Sequence, residues 1–341
     1  MTPGKQWGLR RLANAEGFFS MVAIDQRPPI EQLVAKARGI ARSEVTFADI
    51  ALCKRWLALG LAPHAGALLV DPNYAYPAMA DLLQPQRGLL LTLEDHRFED
   101  TPRGRKSHSI ADWSVAKIRR LGADAVKVLA WYRPDASDEV LEHQHRYVRE
   151  IGEQCREHDI AFIFELLTYP FPQGPDSLRD YVEDPDKAPQ RVVDSVKAFA
   201  GPEYGVDLFK LESPIPAPAL PDPAAADGAA AQAWFDALGE ACAGTPWVML
   251  SAGASMADFE RALRYALRAG ASGFLAGRAV WWQALSHFPD EAAVAAALQR
   301  EAVPYLQQLA ALTQQQGRAW RPAAAGPVVA QEGDFARGYG A

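Results

Sequence analysis

The chain has 341 residues, of which 49% are hydrophobic and 23% are charged, and its formal net charge is −7. These values are ordinary for a globular protein of one large α/β domain or two smaller ones. The negative net charge and the lack of a dominant basic tract argue against a nucleic-acid surface. No apolar run reaches the length of about 18 residues that a membrane-spanning helix needs, so we expect no membrane partner.

The predicted strands and helices alternate through most of the chain. The predicted strands are 19–25, 66–71, 88–94, 124–130, 160–166, 206–212, 246–252 and 272–277. The predicted helices lie near 43–60, 74–83, 109–121, 136–158, 187–200, 231–243 and 255–269, and a last helical stretch covers 290–316. The strands are nearly continuous apolar runs, which are typical of parallel sheets covered on both faces.

Eight strand–helix units predict a closed (β/α)8 barrel, the TIM-barrel fold, as a single α/β domain. A doubly wound open sheet is the alternative, but that fold often carries a glycine-rich turn after its first strand. The first predicted strand instead continues as Ile-Asp-Gln-Arg-Pro-Pro over residues 24–29, without glycine. The sequence therefore favours the barrel.

We expect the barrel to occupy residues 19–316. Residues 1–18 form an N-terminal extension that could cap the barrel floor. The proline- and alanine-rich segment 213–230 is either a lid over the site or a static spacer. Residues 317–341 form a polar tail, which is either mobile or packed on a neighbouring subunit.

The three cysteines, Cys53, Cys155 and Cys242, are widely spaced and include no Cys-x-x-Cys pair. This pattern predicts small core residues rather than a disulfide framework or a metal site. The N-terminal stretch lacks the charged and apolar segments of a secretory signal peptide. We therefore expect a reducing, cytoplasmic setting.

Polar residues at the carboxyl ends of barrel strands converge on one mouth, where the active sites of this fold lie. In chain order these residues are Asp25, Gln26, Glu94, Asp95, His96, Lys127, Glu165, Lys210 and Glu212, followed by the turns 250–253 (Leu-Ser-Ala-Gly) and 276–278 (Ala-Gly-Arg). Amines, carboxylates and small residues thus come from different strands around one opening.

The two lysines carry the strongest signal, because Lys127 and Lys210 each lie at the centre of an apolar strand. A lysine buried among Val, Leu and Phe loses its hydration, so it must find a partner or lower its pKa. Two such lysines that face one cavity disfavour each other's charge, and a neutral amine is what Schiff-base catalysis requires. In the alternative, Lys210 only extends to the surface, and Lys127 forms a supporting ion pair with Glu165.

The sequence does not decide the role of Glu212 or of the stretch from Glu94 to His96. Glu212 either hydrogen-bonds the amine of Lys210 or is a loop residue. The stretch from Glu94 to His96 offers metal ligands, but the chain has no His-Glu-x-x-His motif and no converging histidines. We therefore expect neither a metal nor another cofactor.

The two turns after the seventh and eighth strands predict a phosphate site. Glycine lets an anion approach the backbone closely, and Arg278 adds a fork-shaped cation. Barrels frequently bind phosphate at this pair of loops. In the alternative, Gly253 and Gly277 only permit tight turns and Arg278 is an exposed side chain.

A set of short stretches in the central part of the chain forms one ordered pattern: 23–27, 112–115, 122–129, 165–169, 206–212, 250–255 and 273–281. In this order they resemble the class I tagatose 1,6-bisphosphate aldolases, whose relatives include the sulfofructose-phosphate aldolases. The resemblance spans roughly residues 20–285.

This resemblance implies a role for each candidate residue. It makes Lys210 the Schiff-base lysine, Glu165 the proton-transfer residue and Lys127 its cationic neighbour. It places substrate hydroxyls against Asp25 and Gln26. The phosphate would be held by Ser251, Gly253, Gly277 and Arg278.

The chain departs from the family pattern around the far end of the substrate. Pro28 and Pro29 follow the Asp-Gln-Arg stretch, where they stiffen the first loop and remove two N–H donors. The region from Glu94 to Asp100 is unusually charged for this family. A second anion site opposite the phosphate loops would use one of the arginines Arg27, Arg97, Arg103 and Arg105. The short basic cluster of Arg103, Arg105 and Lys106 otherwise reads as solvated loop charge.

The sequence therefore predicts a Schiff-base aldolase that cleaves a phosphorylated ketose, such as tagatose 1,6-bisphosphate, to dihydroxyacetone phosphate and an aldehyde. In this hypothesis Glu165 is the base that removes the hydroxyl proton of the departing aldehyde and then returns a proton to the enamine. The alternatives are a sulfofructose-phosphate type of aldolase and a phosphosugar-binding protein without turnover. The expected partner is a phosphorylated sugar. A homo-oligomer is possible, and the tryptophan-rich stretch 279–285 packs against the barrel or forms an interface.

Overall fold

A computed structural model describes residues 1–171, 186–321, 335–336 and 339 of the chain. The strands are β1 (Phe19–Ala23), β2 (Ala67–Val70), β3 (Gly88–Thr92), β4 (Glu99–Thr101), β5 (Gly104–Lys106), β6 (Ala125–Trp131), β7 (Ala161–Leu167), β8 (Leu208–Leu211), β9 (Trp247–Leu250) and β10 (Gly273–Ala276). Eight of them close a parallel barrel in the order β1-β10-β9-β8-β7-β6-β3-β2, and β4 pairs with β5 in a separate hairpin. The predicted (β/α)8 barrel is therefore confirmed.

The helices cover the outside and the floor of this barrel. They are α1 (Pro3–Leu12), α2 (Pro28–Arg38), α3 (Phe47–Leu61), α4 (Ala75–Met79), α5 (Val115–Leu121), α6 (Asp138–Glu157), α7 (Pro189–Lys197), α8 (Gly228–Ala241), α9 (Met256–Arg268), α10 (Arg278–Leu285), α11 (Glu291–Ala297) and α12 (Val303–Gln316). A π-helical turn, Leu298–Ala302, joins α11 to α12. None of the helices in the described ranges has the length and apolar composition needed to cross a membrane.

Side chains alternate along each barrel strand, so the buried ones form a core inside the barrel and a second core between the barrel and the helices. Along β8, Leu208 belongs to the core inside the barrel, whereas Phe209 and Leu211 pack outward against the helices. The same alternation places Ala125 and Ile163 inside, and Val126 outside. Because side chains alternate along a strand, the next inward positions toward the carboxyl ends belong to the mouth of the barrel.

The N-terminal end of the barrel is closed by residues from both ends of the chain. Leu9 and Leu12 of α1 join the inner core together with Trp320. The ring of Trp320 lies 6.1 Å from that of Phe19, and its backbone N–H donates to Gly17. Residues 1–18 thus include a helix at the barrel floor. The rest of the tail expected at 317–341 lies mostly outside the described residues.

Besides α1, three further elements were not predicted as regular structure. Pro28 and Pro29 begin α2 instead of stiffening a loop, because a helix leaves its first N–H groups without intrahelical partners and so tolerates proline there. The hairpin of β4 and β5 follows β3, and α10 follows β10. In α10, Trp281 is fully buried and its Nε1 donates to Ala23, so this stretch packs on the barrel.

The segment 213–230 packs along α9. Its carbonyl groups at Ala217 and Pro221 accept hydrogen bonds from Arg261 and Tyr265 of that helix. The three cysteines are all buried and unpaired, as predicted.

Candidate active site

One pocket at the carboxyl ends of the strands gathers the nine residues to which the family resemblance gives a catalytic or substrate-binding role. These residues are Lys210, Glu165, Lys127, Asp25, Gln26, Ser251, Gly253, Gly277 and Arg278. They come from β1, β6, β7, β8, β9 and β10 or the residues directly after them, so only the closed barrel makes them neighbours.

The positions of Lys210 and Glu165 follow from the strand register. Glu165 of β7 is directly paired with Lys210 of β8, and both continue the inward-facing positions of their strands. The Nζ atom of Lys210 donates to Oε2 of Glu165 at 2.9 Å. The side chains of Lys210 and Glu165 are 5% and 8% exposed. A buried amine thus lies beside a buried carboxylate that can take and return its proton.

Lys127 lies at the centre of three carboxylates. Its Nζ atom is 3.1 Å from Oδ2 of Asp25, 2.6 Å from Oε1 of Glu94 and 2.8 Å from Oε2 of Glu165. Burial alone would lower the pKa of Lys127, but these carboxylates raise it well above its usual value. Lys127 is therefore a fixed cation, and the pair with Glu165 considered from the sequence is one part of a larger cluster.

Glu94 is a member of this cluster whose role the sequence left open. It follows β3, and its side chain lines the pocket. Burial raises the pKa of Glu94 to about 7; Asp25 and Glu165 add to this rise and Lys127 opposes it. In the described parts of the chain, no group of three or more His, Cys, Asp and Glu residues is arranged to hold a metal ion. The three acids converge instead on an ammonium group.

Asp25 connects the cluster to the first strand. Its Oδ2 accepts from Lys127 and, at 3.3 Å, from the hydroxyl of Thr92. Burial alone would raise the pKa of Asp25, but Lys127 and Lys210 hold it well below its usual range. Asp25 Oδ1 and Gln26 Oε1 are buried without a hydrogen-bond partner in the described ranges, so both atoms can accept from a ligand hydroxyl.

The two glycine turns meet on the opposite side of the pocket. The N–H of Gly277 donates to Oγ of Ser251 at 3.4 Å. Gly253 has φ +82°, and a Cβ atom there would lie 2.8 Å from Cζ of Arg278. Gly277 precedes α10, and a Cβ atom there would lie 2.7 Å from Nε2 of Gln26. A side chain at either position would displace the Arg278 guanidinium or the Gln26 amide, and a helix N-terminus beside an arginine suits an anion.

Glu212 does not hold the amine of Lys210, so this reading of the sequence is wrong. One of its carboxylate oxygens accepts from the N–H and the hydroxyl of Thr168 at 2.6 and 2.9 Å. The other accepts from Lys187 at 3.0 Å. Strand β8 ends at Leu211, and beyond it the inward and outward alternation of side chains no longer predicts the direction of Glu212. Glu212 instead fixes the segments that follow β7 and precede α7.

Arg105 is not solvated loop charge, which corrects the reading of the basic cluster. It lies in β5 and is 4% exposed. Its guanidinium packs against Phe98, Trp131 and Tyr169, at 4.3, 4.7 and 4.7 Å from their ring centroids. The hairpin carries the arginine back onto the aromatic rings, which local sequence does not reveal. Trp131 in turn forms part of the pocket wall.

Of the four arginines considered for a second anion site, Arg27 is the one that lines the pocket. It is 4% exposed, and its Nε atom has no hydrogen-bond partner in the described ranges. Arg97 and Arg103 are exposed. Burial and the neighbouring Arg27 lower the pKa of His96 to about 4, so its imidazole is neutral at pH 7.

A parallel eight-stranded barrel whose mouth gathers two buried lysines, three carboxylates and two glycine turns is typical of a (β/α)8-barrel enzyme. Residues 19–283 match the family model of the DeoC/LacD family aldolases, and the chain belongs to this family. It is an aldolase, a carbon–carbon lyase.

The curated relatives agree with this assignment over most of the chain. A tagatose 1,6-diphosphate aldolase of Enterococcus faecalis is 33% identical over 302 residues, which cover 87% of this chain and 88% of the relative. One of Lactococcus lactis is 33% identical over 291 residues, which cover 82% and 86%. Among solved structures, an archaeal fructose 1,6-bisphosphate aldolase matches with a TM-score of 0.53 and 18% identity, over 91% of this chain and 98% of that one. This last similarity supports the barrel fold.

Proposed function

We propose that this aldolase forms a Schiff base on Lys210 and reversibly cleaves a phosphorylated ketose, such as tagatose 1,6-bisphosphate, to dihydroxyacetone phosphate and an aldehyde. The observation that carries the proposal is the buried Lys210 amine, 2.9 Å from Glu165 in the pocket. The relatives named as tagatose 1,6-diphosphate aldolases support the substrate class.

In the proposed reaction, the neutral amine of Lys210 attacks the ketone carbonyl, and loss of water gives an iminium ion. The iminium draws the electron pair of the breaking carbon–carbon bond as a carboxylate of the site removes the hydroxyl proton of the departing aldehyde. Glu165, beside the amine, exchanges the protons of this nitrogen and returns one to the enamine. Lys127 fixes Glu165 by its ion pair. Hydrolysis then releases dihydroxyacetone phosphate.

The remaining pocket residues bind and orient the sugar. Ser251, Gly253, Gly277 and Arg278 hold the phosphate next to the reacting carbonyl. Asp25 and Gln26 accept hydrogen bonds from hydroxyl groups through their unpartnered oxygens. Arg27 also follows β1, but its charge acts on His96 beyond β3, so this buried arginine favours a substrate with a second anionic group at its far end, either phosphate or sulfonate.

The first experiment traps the Schiff base. The protein is incubated with dihydroxyacetone phosphate and borohydride, weighed by mass spectrometry and digested to locate the adduct. We expect a stable adduct on Lys210 that is lost in Lys210→Met and retained in Lys197→Met, a variant of an exposed lysine. If the ligand binds the folded wild-type protein without forming an adduct, the Schiff base is refuted and a phosphosugar-binding role is favoured.

A substrate panel then identifies the far-end group. Cleavage of tagatose 1,6-bisphosphate, fructose 1,6-bisphosphate and a sulfofructose phosphate is compared in the wild type and in Arg27→Met. We expect Arg27→Met to raise KM for the preferred anionic substrate at least tenfold, because a charge-assisted hydrogen bond contributes about 1.5–3 kcal/mol. An unchanged KM would assign the far end to another group.

A further inference from the structure

Within the Lys127 cluster, Glu94 and Asp25 each keep one buried oxygen without a hydrogen-bond partner in the described ranges, whereas Glu165 contacts both lysines through Oε2. Oε1 of Glu94 accepts from Lys127 at 2.6 Å. Oε2 is buried and has no hydrogen-bond partner in the described ranges, although the side chain lines the pocket. A buried carboxylate oxygen without a partner is costly, so this atom is suited to a group that the ligand supplies.

The strand order places Glu94 across the mouth from the phosphate turns. In the closed barrel, β3 is diametrically opposite β9, which leads into Ser251 and Gly253. Lys210 lies on β8, beside β9. A ketose whose phosphate is held at these turns and whose carbonyl carbon is bound to Lys210 must therefore extend its other half toward β6 and β3. That half becomes the aldehyde.

The other two carboxylates are less suited to receive the proton of this half. Oε2 of Glu165 already contacts both Lys127 and Lys210, so it serves the amine. Asp25 follows β1, next to β10 and the phosphate turns, and although its Oδ1 is unpartnered, its Oδ2 already accepts from both Lys127 and Thr92, whereas Glu94 accepts from Lys127 alone. The pKa of Asp25 is held well below the usual range by Lys127 and Lys210 against the effect of burial, and a carboxylate so strongly stabilised as an anion is a weak base.

We propose that Glu94 is a further catalytic residue, which accepts the hydroxyl proton of the departing aldehyde half at Oε2 and returns it during condensation. In cleavage, the O–H bond breaks and its proton goes to Glu94. The freed electron pair forms the carbonyl, and the carbon–carbon pair moves to the iminium to give the enamine. This assignment rests on the proposed Schiff-base function and divides its proton transfers between Glu94 and Glu165.

The environment of Glu94 agrees with this role. Its pKa of about 7, raised mainly by burial, lies near neutral pH, where a general base is most effective. Lys127 remains its hydrogen-bond donor in both protonation states and fixes the orientation of the carboxyl group.

The test separates the half-reaction of dihydroxyacetone phosphate from full cleavage. Deuterium exchange at C3 of dihydroxyacetone phosphate in D2O, and borohydride trapping, need Lys210 but no aldehyde. We expect Glu94→Gln to retain both within a few-fold and to lose cleavage of fructose or tagatose 1,6-bisphosphate by about 10²–10⁴-fold. Glu94→Asp, which keeps a carboxyl group, should recover part of this loss. Glu165→Gln should lose exchange as well as cleavage.

The controls distinguish this inference from the proposed function. Glu99→Gln, a change at an exposed glutamate of the hairpin, should leave all activities unchanged. Circular dichroism and thermal unfolding establish that each variant is folded. Glu94→Gln with near wild-type cleavage, or with exchange reduced as much as cleavage, overturns the assignment of Glu94. Failure of the wild type to form an adduct would instead refute the Schiff base itself.

Discussion

At the scale of single residues, Lys127 and its two valine neighbours in β6 are buried in different places. Val126 and Val128 flank Lys127 in sequence, yet they pack outward against the helices. The ammonium group faces inward and meets three carboxylates. An apolar run around a lysine thus indicates a parallel strand covered by helices. Because side chains alternate along the strand, the lysine points inward and its ammonium group lies at the mouth of the barrel.

Gly253 offers a residue-scale test of the phosphate site. Gly253→Ala should raise the Kd for dihydroxyacetone phosphate about tenfold or more, because its Cβ atom would displace the Arg278 guanidinium and weaken a charge-assisted hydrogen bond. Isothermal titration measures this change.

Gly122→Ala is the matched control for this prediction. Gly122 also has a positive φ, +98°, but a Cβ atom added there would have no neighbour within 4 Å among the described residues. Both alanine variants should lose about 1–2 kcal/mol of unfolding free energy through left-handed backbone strain, and Gly122→Ala should bind the ligand normally. Equal Kd values for the two variants would argue against a role of Arg278 in phosphate binding.

At the scale of elements, the β4–β5 hairpin stabilises one wall of the pocket. Arg105 anchors it by stacking among three aromatic rings, and the hydroxyl of Tyr169 accepts the Arg105 N–H at 2.8 Å. Trp131 shares this aromatic group and lines the pocket. An insertion after β3 therefore contributes to the shape of the site without supplying a reacting group.

Replacing Arg105 tests this anchoring. Arg105→Ala should lower the free energy of unfolding by about 2–3 kcal/mol, since several cation–π contacts and the packing of the side chain are lost together. Urea denaturation measures the change, and hydrogen exchange should show faster exchange in the hairpin. Arg103→Ala, at an exposed position of the same turn, should remain within about 0.5 kcal/mol of the wild type. Similar effects of both changes would contradict the anchoring role.

At the scale of the whole molecule, the candidate active site and the packing that closes the barrel floor lie at opposite ends of the barrel. The proposed reacting groups line the pocket at the carboxyl ends of the strands, whereas α1 and Trp320 close the opposite end. This division is general for the fold. The expectations of a cytoplasmic location and a possible homo-oligomer stay predictions.

The closed floor provides the test at this scale. Trp320→Ala should cost about 3 kcal/mol of stability, because it opens a cavity against Phe19, while kcat and KM stay within about twofold of the wild type. Chemical denaturation and steady-state kinetics on one preparation check both outcomes. Trp7→Ala, at a side chain that is 62% exposed, should change neither. A large loss of kcat in Trp320→Ala would show that the two ends of the barrel are coupled.

The sequence by itself determined the barrel and the strand ends that form its mouth, because apolar periodicity and chain order fix which side chains face inward at each strand. It therefore identified Lys210, Glu165, Lys127 and the glycine turns. Only the tertiary structure decided that Glu94 joins Lys127, that Glu212 turns to Lys187 and that Arg105 is buried. Glu94 and Glu212 lie just beyond their barrel strands, where the backbone no longer follows a regular period, and Arg105 lies in a hairpin outside the barrel, so contacts with distant segments decide the direction of each side chain.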